Sequence, residues 1–600
     1  MVRVLMVVCL ALVACKKDKD ADTDGLSDPP LGMILDKDGQ IYAGAAVVDM
    51  TPEVVETYSD LNENDEFNGC LDDPAAAGSS CDEPFDDVNG NGVFDAVWIG
   101  GFGPGRAAMA VHDPIEARAV VLSYAGEYIA LVGLDLVGLT EIRIHAARDR
   151  LVADGFHIDH LIVASSHNHH GPDTMGLWGD PLTGVTGLDY EYQARVEDAI
   201  EEVVRKAAGV MEPVELTVGT VNMRDQSDAF NGSMFGGTNP TAKMHGMIHD
   251  IRDPVVVSDQ LLVMQGAGKS GTVFTYTNWS GHPEVWGGVS EISSDWVGVT
   301  RDVLEATYGG IVVHQPESLG GMQSSLGGDL PLVDENGVHQ FDGADPEWAE
   351  KGTWDYVNSH GWHIAEAAIA ALDGGTSPSE LPIRVEVEEM FLPVTNLSYE
   401  VLGPMGIFDL KIEDAIVDNE RCPEKLAGET NIGCIPARTF RLQLGPIGFT
   451  TAPGELVPEI ARGFPSDAAW SLEQGDLTAR GDGSTYFPQH DHDCDAIDFE
   501  ECAYEAGDIG DCNCLSYHAV PYVISPNAAD APLLDAWDVE YTAIIGMADT
   551  YLSYILPEPD INHHVSLFTD DGDHYEDTVT PSEFFGTKLI EAQRKIEERW

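Results

Sequence analysis

Basic side chains are scarce. Lys and Arg number 31 against 103 Asp and Glu in 600 residues, a formal charge of −72. A surface this negative repels phosphate backbones, which excludes nucleic-acid binding as the general function and weighs against electrostatic docking on anionic lipid. Long apolar runs are missing too. Met1 to Ala14 is apolar but too short to span a bilayer, and no later stretch is long and apolar enough. Aromatics make up only 8%, yet the hydrophobic share is 43%, close to the globular norm. The chain can therefore bury a core and is no disordered acidic polymer. The acidity has two readings: a solubilising, salt-adapted exterior, or in part the binding of divalent cations.

Cysteine is sparse as well, with ten in the chain. Residues 1–14 run from one Arg through an apolar stretch to small residues, the pattern of a cleaved export signal. Leu12-Val13-Ala14-Cys15 is similar to a bacterial lipobox, with Cys15 as the lipidated residue; an ordinary signal with an incidental Cys15 is the alternative. Residues 16–30 are polar and Pro-terminated, which suits a flexible tether over 15–40. The expectation is an exported protein, lipid-anchored at the bacterial cell envelope, outer membrane or cell surface. Beyond Cys9 and Cys15, the cysteines are Cys70, Cys81, Cys422, Cys434, Cys494, Cys502, Cys512 and Cys514. An even number in an exported chain favours disulfides, with Cys70–Cys81 and Cys422–Cys434 as natural pairs; the last four allow three pairings. A Cys-rich zinc site is the weaker idea, since C-N-C is not a C-x-x-C knuckle.

From Ile41 onward strand-like and helix-like segments interleave, which argues an α/β fold. Residues 118–124, 128–137 and 160–166 read as strands, as do 214–223, 260–265 and 272–278. Helices are predicted over 140–154, with Thr140 as N-cap, and over 190–208, 295–308 and 354–372. No repeat of fixed period and no clear boundary divides 41–600, which reads as one domain. Two stretches stand apart as acidic, Cys-bearing insertions, at about 61–95 and 490–516. Within the first, Asp87, Asn89, Asn91 and Asp95 occupy positions 1, 3, 5 and 9 of an EF-hand-like loop, with Gly92 at position 6. The spacing predicts a structural calcium site; Trp98 replaces the usual Glu at position 12, and an Asn/Gly-rich turn is the competing reading.

The chemistry-bearing segments are four. His160-Leu-Ile-Val-Ala-Ser-Ser-His167-Asn-His169-His170-Gly-Pro reads as a buried strand, and alternation along it would put His167 and His169 on one face, as a metal or a proton shuttle would need. Asn278-Trp-Ser-Gly-His282-Pro again ends a strand in a His. Ala452-Pro-Gly-Glu455 ends one in a carboxylate, and Tyr551-Leu-Ser-Tyr554 offers paired phenols. Core or surface histidines and aromatic packing are the bland alternatives. Two neutral His and a carboxylate make a catalytic zinc shell with an open position.

In order and spacing these segments resemble the neutral/alkaline ceramidase family over most of the chain. Ala43 to Pro52 (A-G-A-A-V-V-D-M-T-P) is similar to that family's opening motif, and S-H-N-H-H-G-P, N-W-S-G-H-P, A-P-G-E and T-Y-L-S-Y follow in its order. The resemblance implies large mixed sheets flanked by helices, with zinc on His167, His282, Glu455 and Tyr554. It further implies that His169 lies near the scissile amide, that Tyr575 steadies the oxyanion and that Ser325 is a nucleophile or water-positioning group. Arg224 is the counterpart of a family Arg. The sequence departs from the pattern at Leu326 and His170, and no immunoglobulin-like domain is expected after Tyr575. The implied activity is zinc-dependent hydrolysis of the N-acyl amide of ceramide or a related lipid-like substrate. A zinc ester hydrolase and a non-catalytic, calcium-stabilised lipoprotein are the alternatives.

Overall fold

The computed structural model describes residues 39–61, 65–67, 83–179, 186–223, 247–248, 256–321, 326, 330–343, 345–403, 405–410, 412–414, 433–463, 478–479, 485–487, 522–524, 532–557, 576 and 579–600. Cys15, Arg224, Ser325 and Tyr575 lie outside them, as do Cys70, Cys81, Cys422, Cys494, Cys502, Cys512 and Cys514. Cys434 is disulfide-bonded.

Two successive stretches of chain follow one plan. The first comprises β1 (Tyr42–Asp49), β2 (Glu116–Tyr124), β3 (Glu127–Leu134), α1 (Glu141–Ala153), β4 (His160–Ser165) and α2 (Tyr190–Gly209). Its strands lie in the order β4-β3-β2-β1, antiparallel except for the parallel pair β3–β4. The second comprises β5 (Glu215–Asn222), β6 (Gln260–Gly268), β7 (Gly271–Trp279), α3 (Asp295–Tyr308), β8 (Ile311–Pro316) and α4 (Trp354–Asp373). Its order is β8-β7-β6-β5, again with only β7–β8 parallel. The topology thus repeats where the sequence has no repeat of fixed period.

The sheets face each other. Val120, Leu122, Ile129 and Ile162 of the first pack with Leu216, Leu262, Met264, Phe274 and Tyr276 of the second. Ile144 and Leu151 of α1 and Val196, Ile200 and Val203 of α2 cover the outer face of the first sheet. Trp296 and Leu304 of α3 and Ile364 and Ala368 of α4 cover the second. The result is a four-layer helix–sheet–sheet–helix sandwich, which explains why the central strands are nearly continuous apolar runs.

A third sheet, β9 (Ile383–Pro393), β10 (Gly433–Leu444), β11 (Ile447–Thr451) and β13 (Tyr541–Ile545), extends the core through Leu442, Phe449 and Ala543. Its last pair, β11–β13, is parallel. The short β12 (Glu455–Leu456) pairs parallel with β14 (Tyr554–Ile555). A closing helix, α5 (Phe585–Arg599), packs Leu589 and Ala592 into the core beside this sheet, and its buried Gln593 donates to Thr439 and Phe440 of β10.

The helix signals are only partly those expected. Asp189 caps α2 by accepting from Glu191 and Tyr192 at 2.8 and 3.2 Å. Thr140 stands at the N-cap of α1 but makes no cap bond; its hydroxyl donates to Asp409 at 2.9 Å. Among the described residues no helix is long and apolar enough to cross a membrane.

Candidate metal centre

Each parallel pair delivers its C-terminal ends to one region, the place where open α/β sheets build their sites. His167 follows β4, His282 follows β7, and Glu455 opens β12 just beyond β11. The expectation that strand alternation aligns His167 with His169 needs correction. β4 ends at Ser165, and His167 sits two residues later at φ 68°, a left-handed conformation costly for a side chain of this size. Backbone bonds hold this turn: Ser166 and Asn168 donate to Leu134 and Leu136, and His169 donates to the carbonyl of Pro283. Loop anchoring, not pleat, places the His167 and His169 rings 4.8 Å apart.

The donor atoms converge. His167 Nε2 and His282 Nε2 each lie 3.4 Å from the same oxygen, Glu455 Oε2. That matches the roughly 3.4 Å edge of a tetrahedron whose arms are ~2.1 Å, as in zinc sites with His and carboxylate ligands. His167 Nδ1 donates to the Val137 carbonyl at 2.7 Å, which leaves Nε2 as the lone-pair nitrogen facing Glu455. His169 joins these imidazoles in a group whose ligand atoms lie within 4.8 Å of one another. Burial, with the neighbouring imidazoles and Arg106, pushes its pKa well below the ordinary histidine value, so it is neutral. No hydrogen bond among the described residues satisfies its ring nitrogens, although Nδ1 lies 3.2 Å from Glu284 Oε2. Buried polar atoms left this way are what a ligand ion or substrate satisfies. Burial alone would raise the Glu455 carboxyl, but His167 and His282 overcome that and hold it below the carboxylate range.

Several neighbours were given no role from the sequence, Tyr551 and His170 having been named only within their segments. The Tyr551 hydroxyl donates to Glu455 Oε1 at 2.7 Å, and burial beside that carboxylate keeps the phenol neutral. Gly138 permits this approach, since a Cβ there would run into the Tyr551 ring. Gly101, at φ 87°, likewise leaves room for the His169 ring. Arg106, only 3% exposed, donates to the backbone carbonyls of Gly100 and His169. His170 is fully buried with Nε2 3.4 Å from Asp295. Nothing in the local spacing marks Arg106 or Glu284; G-F-G-P-G-R reads only as a turn, and their partners are distant in sequence.

The expected residues fall into three groups. His167 and His282 meet Glu455, and His169 stands beside the two imidazoles. Tyr554 is paired through its backbone with Glu455 and packs in the apolar cluster with Tyr399, Leu456 and Ile555. Ser325, Tyr575 and Arg224 lie outside the described residues.

At the calcium candidate, the Asp87 carboxylate accepts from the backbone of Gly90, Asn91 and Gly92. The amides of Asn89 and Asn91 donate to Asp95, so all four expected side chains turn inward. Glu56, 2% exposed, ties the loop down by accepting from Val88 and Asp95.

No protein-family profile matches the sequence, and no curated protein does. Solved structures match in fold. Neutral ceramidase from Pseudomonas aeruginosa superposes with a TM-score of 0.52 at 13% identity, over 94% of this chain and 75% of that one. This is a neutral ceramidase fold. A ceramidase complexed with C2 gives a TM-score of 0.51, also at 13% identity, covering 94% and 76%. The mixed α/β architecture expected from the motif order is therefore present, at an identity too low for the comparison to carry more than the fold.

Proposed function

We propose that the chain is a zinc-dependent amidohydrolase that cleaves the N-acyl amide of ceramide or a related N-acyl lipid to a fatty acid and an amine. The observation that carries this reading is the convergence of His167 and His282, each through Nε2, on one Glu455 oxygen at 3.4 Å. Two imidazoles and a carboxylate are the donor set of a catalytic zinc site that keeps a position open. His167, His282 and Glu455 would hold the ion, with Tyr554 as the fourth ligand implied by the family resemblance. Bound there, zinc supplies Lewis-acid polarisation of an amide carbonyl and a water acidic enough to ionise near neutral pH.

The protein's own groups do the rest. Tyr551 fixes the orientation of Glu455 by occupying its other oxygen. Val137 fixes the tautomer of His167. Neutral His169, beside Glu284, is placed to take up a proton and pass it to the departing amine. Arg106 holds the backbone on which His169 sits. Tyr575 and Ser325 take the roles the resemblance implies, as oxyanion donor and as nucleophile or water-positioning group; Arg224 is the further candidate.

The test is metal analysis of the purified protein together with release of fatty acid from ceramide. Stoichiometric zinc with no turnover on any N-acyl substrate would overturn the proposal. We further propose that the loop from Asp87 to Asp95 takes calcium structurally, and that lipidation at Cys15 anchors the protein at the cell envelope.

A further inference from the structure

A second cluster of ligand-type side chains lies away from the first. Helix α4 carries His363 and Glu366 one turn apart on the same face. The strap that starts at Leu330 folds back on itself, with isolated bridges Pro331–Trp348 and Val333–His339, and brings His339 to that face. The His339, His363 and Glu366 ligand atoms all lie within 4.8 Å of one another. His339 Nε2 is 2.8 Å from Glu366 Oε1, and His363 Nδ1 is 3.8 Å from Glu366 Oε2. The two rings stand 5.3 Å apart.

The orientation of His363 is the telling feature. Its Nε2 donates to the Pro331 carbonyl at 2.9 Å. That leaves Nδ1 on the side of the Glu366 carboxylate, 3.8 Å from Oε2, where a shared cation would bridge the two. A histidine whose far nitrogen is spent on a backbone carbonyl is the usual preparation of a metal ligand. The His363 side chain is fully buried, so water does not screen the contact, whereas Glu366 is 39% exposed and has room to adjust.

We propose that His339, His363 and Glu366 form a second divalent-metal site, of the zinc class, with its fourth position open to water. Two imidazoles and one carboxylate favour a borderline ion such as zinc over calcium or magnesium. With one ligand atom from each residue, the three lie within 4.8 Å of one another, and a modest rotation of the half-exposed Glu366 carboxylate would draw them toward the roughly 3.4 Å edge of a tetrahedral zinc site. Binding displaces the proton on His339 Nε2 and leaves His363 Nε2–H on Pro331. The ion would pin the strap to α4, where Val333 already meets Ser359 at 2.9 Å and Asn358 at 2.8 Å. The rival arrangement is a direct contact between the His363 ring and the Glu366 carboxylate with no ion between them.

The experiment compares wild type, Glu366→Gln and His339→Asn, each stripped with a chelator, reloaded with Zn2+ and freed of excess ion. Metal per chain is then counted by elemental analysis, with circular dichroism checking the fold. The expected result is one equivalent fewer in each variant than in wild type, and a zinc-dependent rise in melting temperature reduced in both. Hydrolytic activity is expected to be unchanged. Should the first centre hold no zinc, the wild type still carries one equivalent that the variants lose, so the two proposals fail separately. Equal metal content in wild type and both variants overturns the site and leaves a direct ring–carboxylate contact in its place.

Discussion

The Tyr551 hydroxyl donates a 2.7 Å hydrogen bond to Glu455 Oε1, and this fixes which oxygen of Glu455 faces the histidines. His167 and His282 both address the other oxygen, Oε2. Tyr551 is thus the positioning group for the carboxylate. Tyr551→Phe is expected to weaken zinc binding 10–100-fold, on the order seen when outer-shell partners are removed. Competition with a chromophoric chelator measures it, and unchanged affinity would detach Tyr551 from the metal centre.

Glu455→Gln removes the only carboxylate in contact with both imidazoles among the described residues. Turnover of a ceramide substrate should fall at least ~100-fold, since the change removes a proposed ligand and not merely its support. Retained activity in a folded Glu455→Gln protein would argue against hydrolysis at this centre.

Asp135 and Arg301 form a buried pair between β3 and α3, with Arg301 Nη1 2.7 and 2.8 Å from the two carboxylate oxygens. Both side chains are about 5% exposed or less. Arg301→Met strands the carboxylate and is expected to cost about 3–5 kcal/mol. Urea unfolding monitored by fluorescence gives the value; a change below 1 kcal/mol would refute it.

Burial, with Arg301 nearby, pushes the His314 pKa down to about 3, so the folded protein keeps this ring neutral. Unfolded, it titrates near 6.5. Its stabilising contribution is complete above pH 6.5 and is lost as the pH falls from there toward 3, at about 1.4 kcal/mol per unit. His314→Asn should therefore show a shallower loss of stability between pH 6 and 4 than wild type, read from denaturation midpoints.

The loop proposed to take calcium should respond to the ion itself. Extracellular calcium modules bind with dissociation constants near 10⁻⁴–10⁻³ M. Calcium at 10 mM should then stabilise the protein by about 1–3 kcal/mol. Asp87→Asn should abolish the calcium-induced rise in melting temperature while leaving the calcium-free value nearly unchanged.

Much of the fold was legible because burial on both faces writes itself into composition: β3, β4, β6 and β7 are apolar runs, and α2 is amphipathic with a capping Asp189. The doubled topology was not legible, since repetition of strand order demands no repetition of residues. In the site, His167, His282 and Glu455 could be found because each stands just past a strand that ends in a turn. The manner of the His167–His169 alignment could not, because it depends on a positive φ and on bonds to β3 and Pro283. Arg106, Glu284 and Tyr551 act through partners remote in sequence, and Tyr551 was overshadowed by Tyr554 three residues on. The cluster of His339, His363 and Glu366 joins a strap to a helix and has no linear motif.

His282 and Glu455 are 173 residues apart, and the three donors enter from three different sheets or their edges. No partly folded stretch of chain can bring them together, because the closing of such long loops is repaid only when the layers pack. Under the export proposed above, a chain threaded unfolded through a membrane would carry no preassembled first centre. If the first centre takes zinc as proposed, acquisition of that ion marks the end of folding, and occupancy of the first centre counts the molecules that have finished.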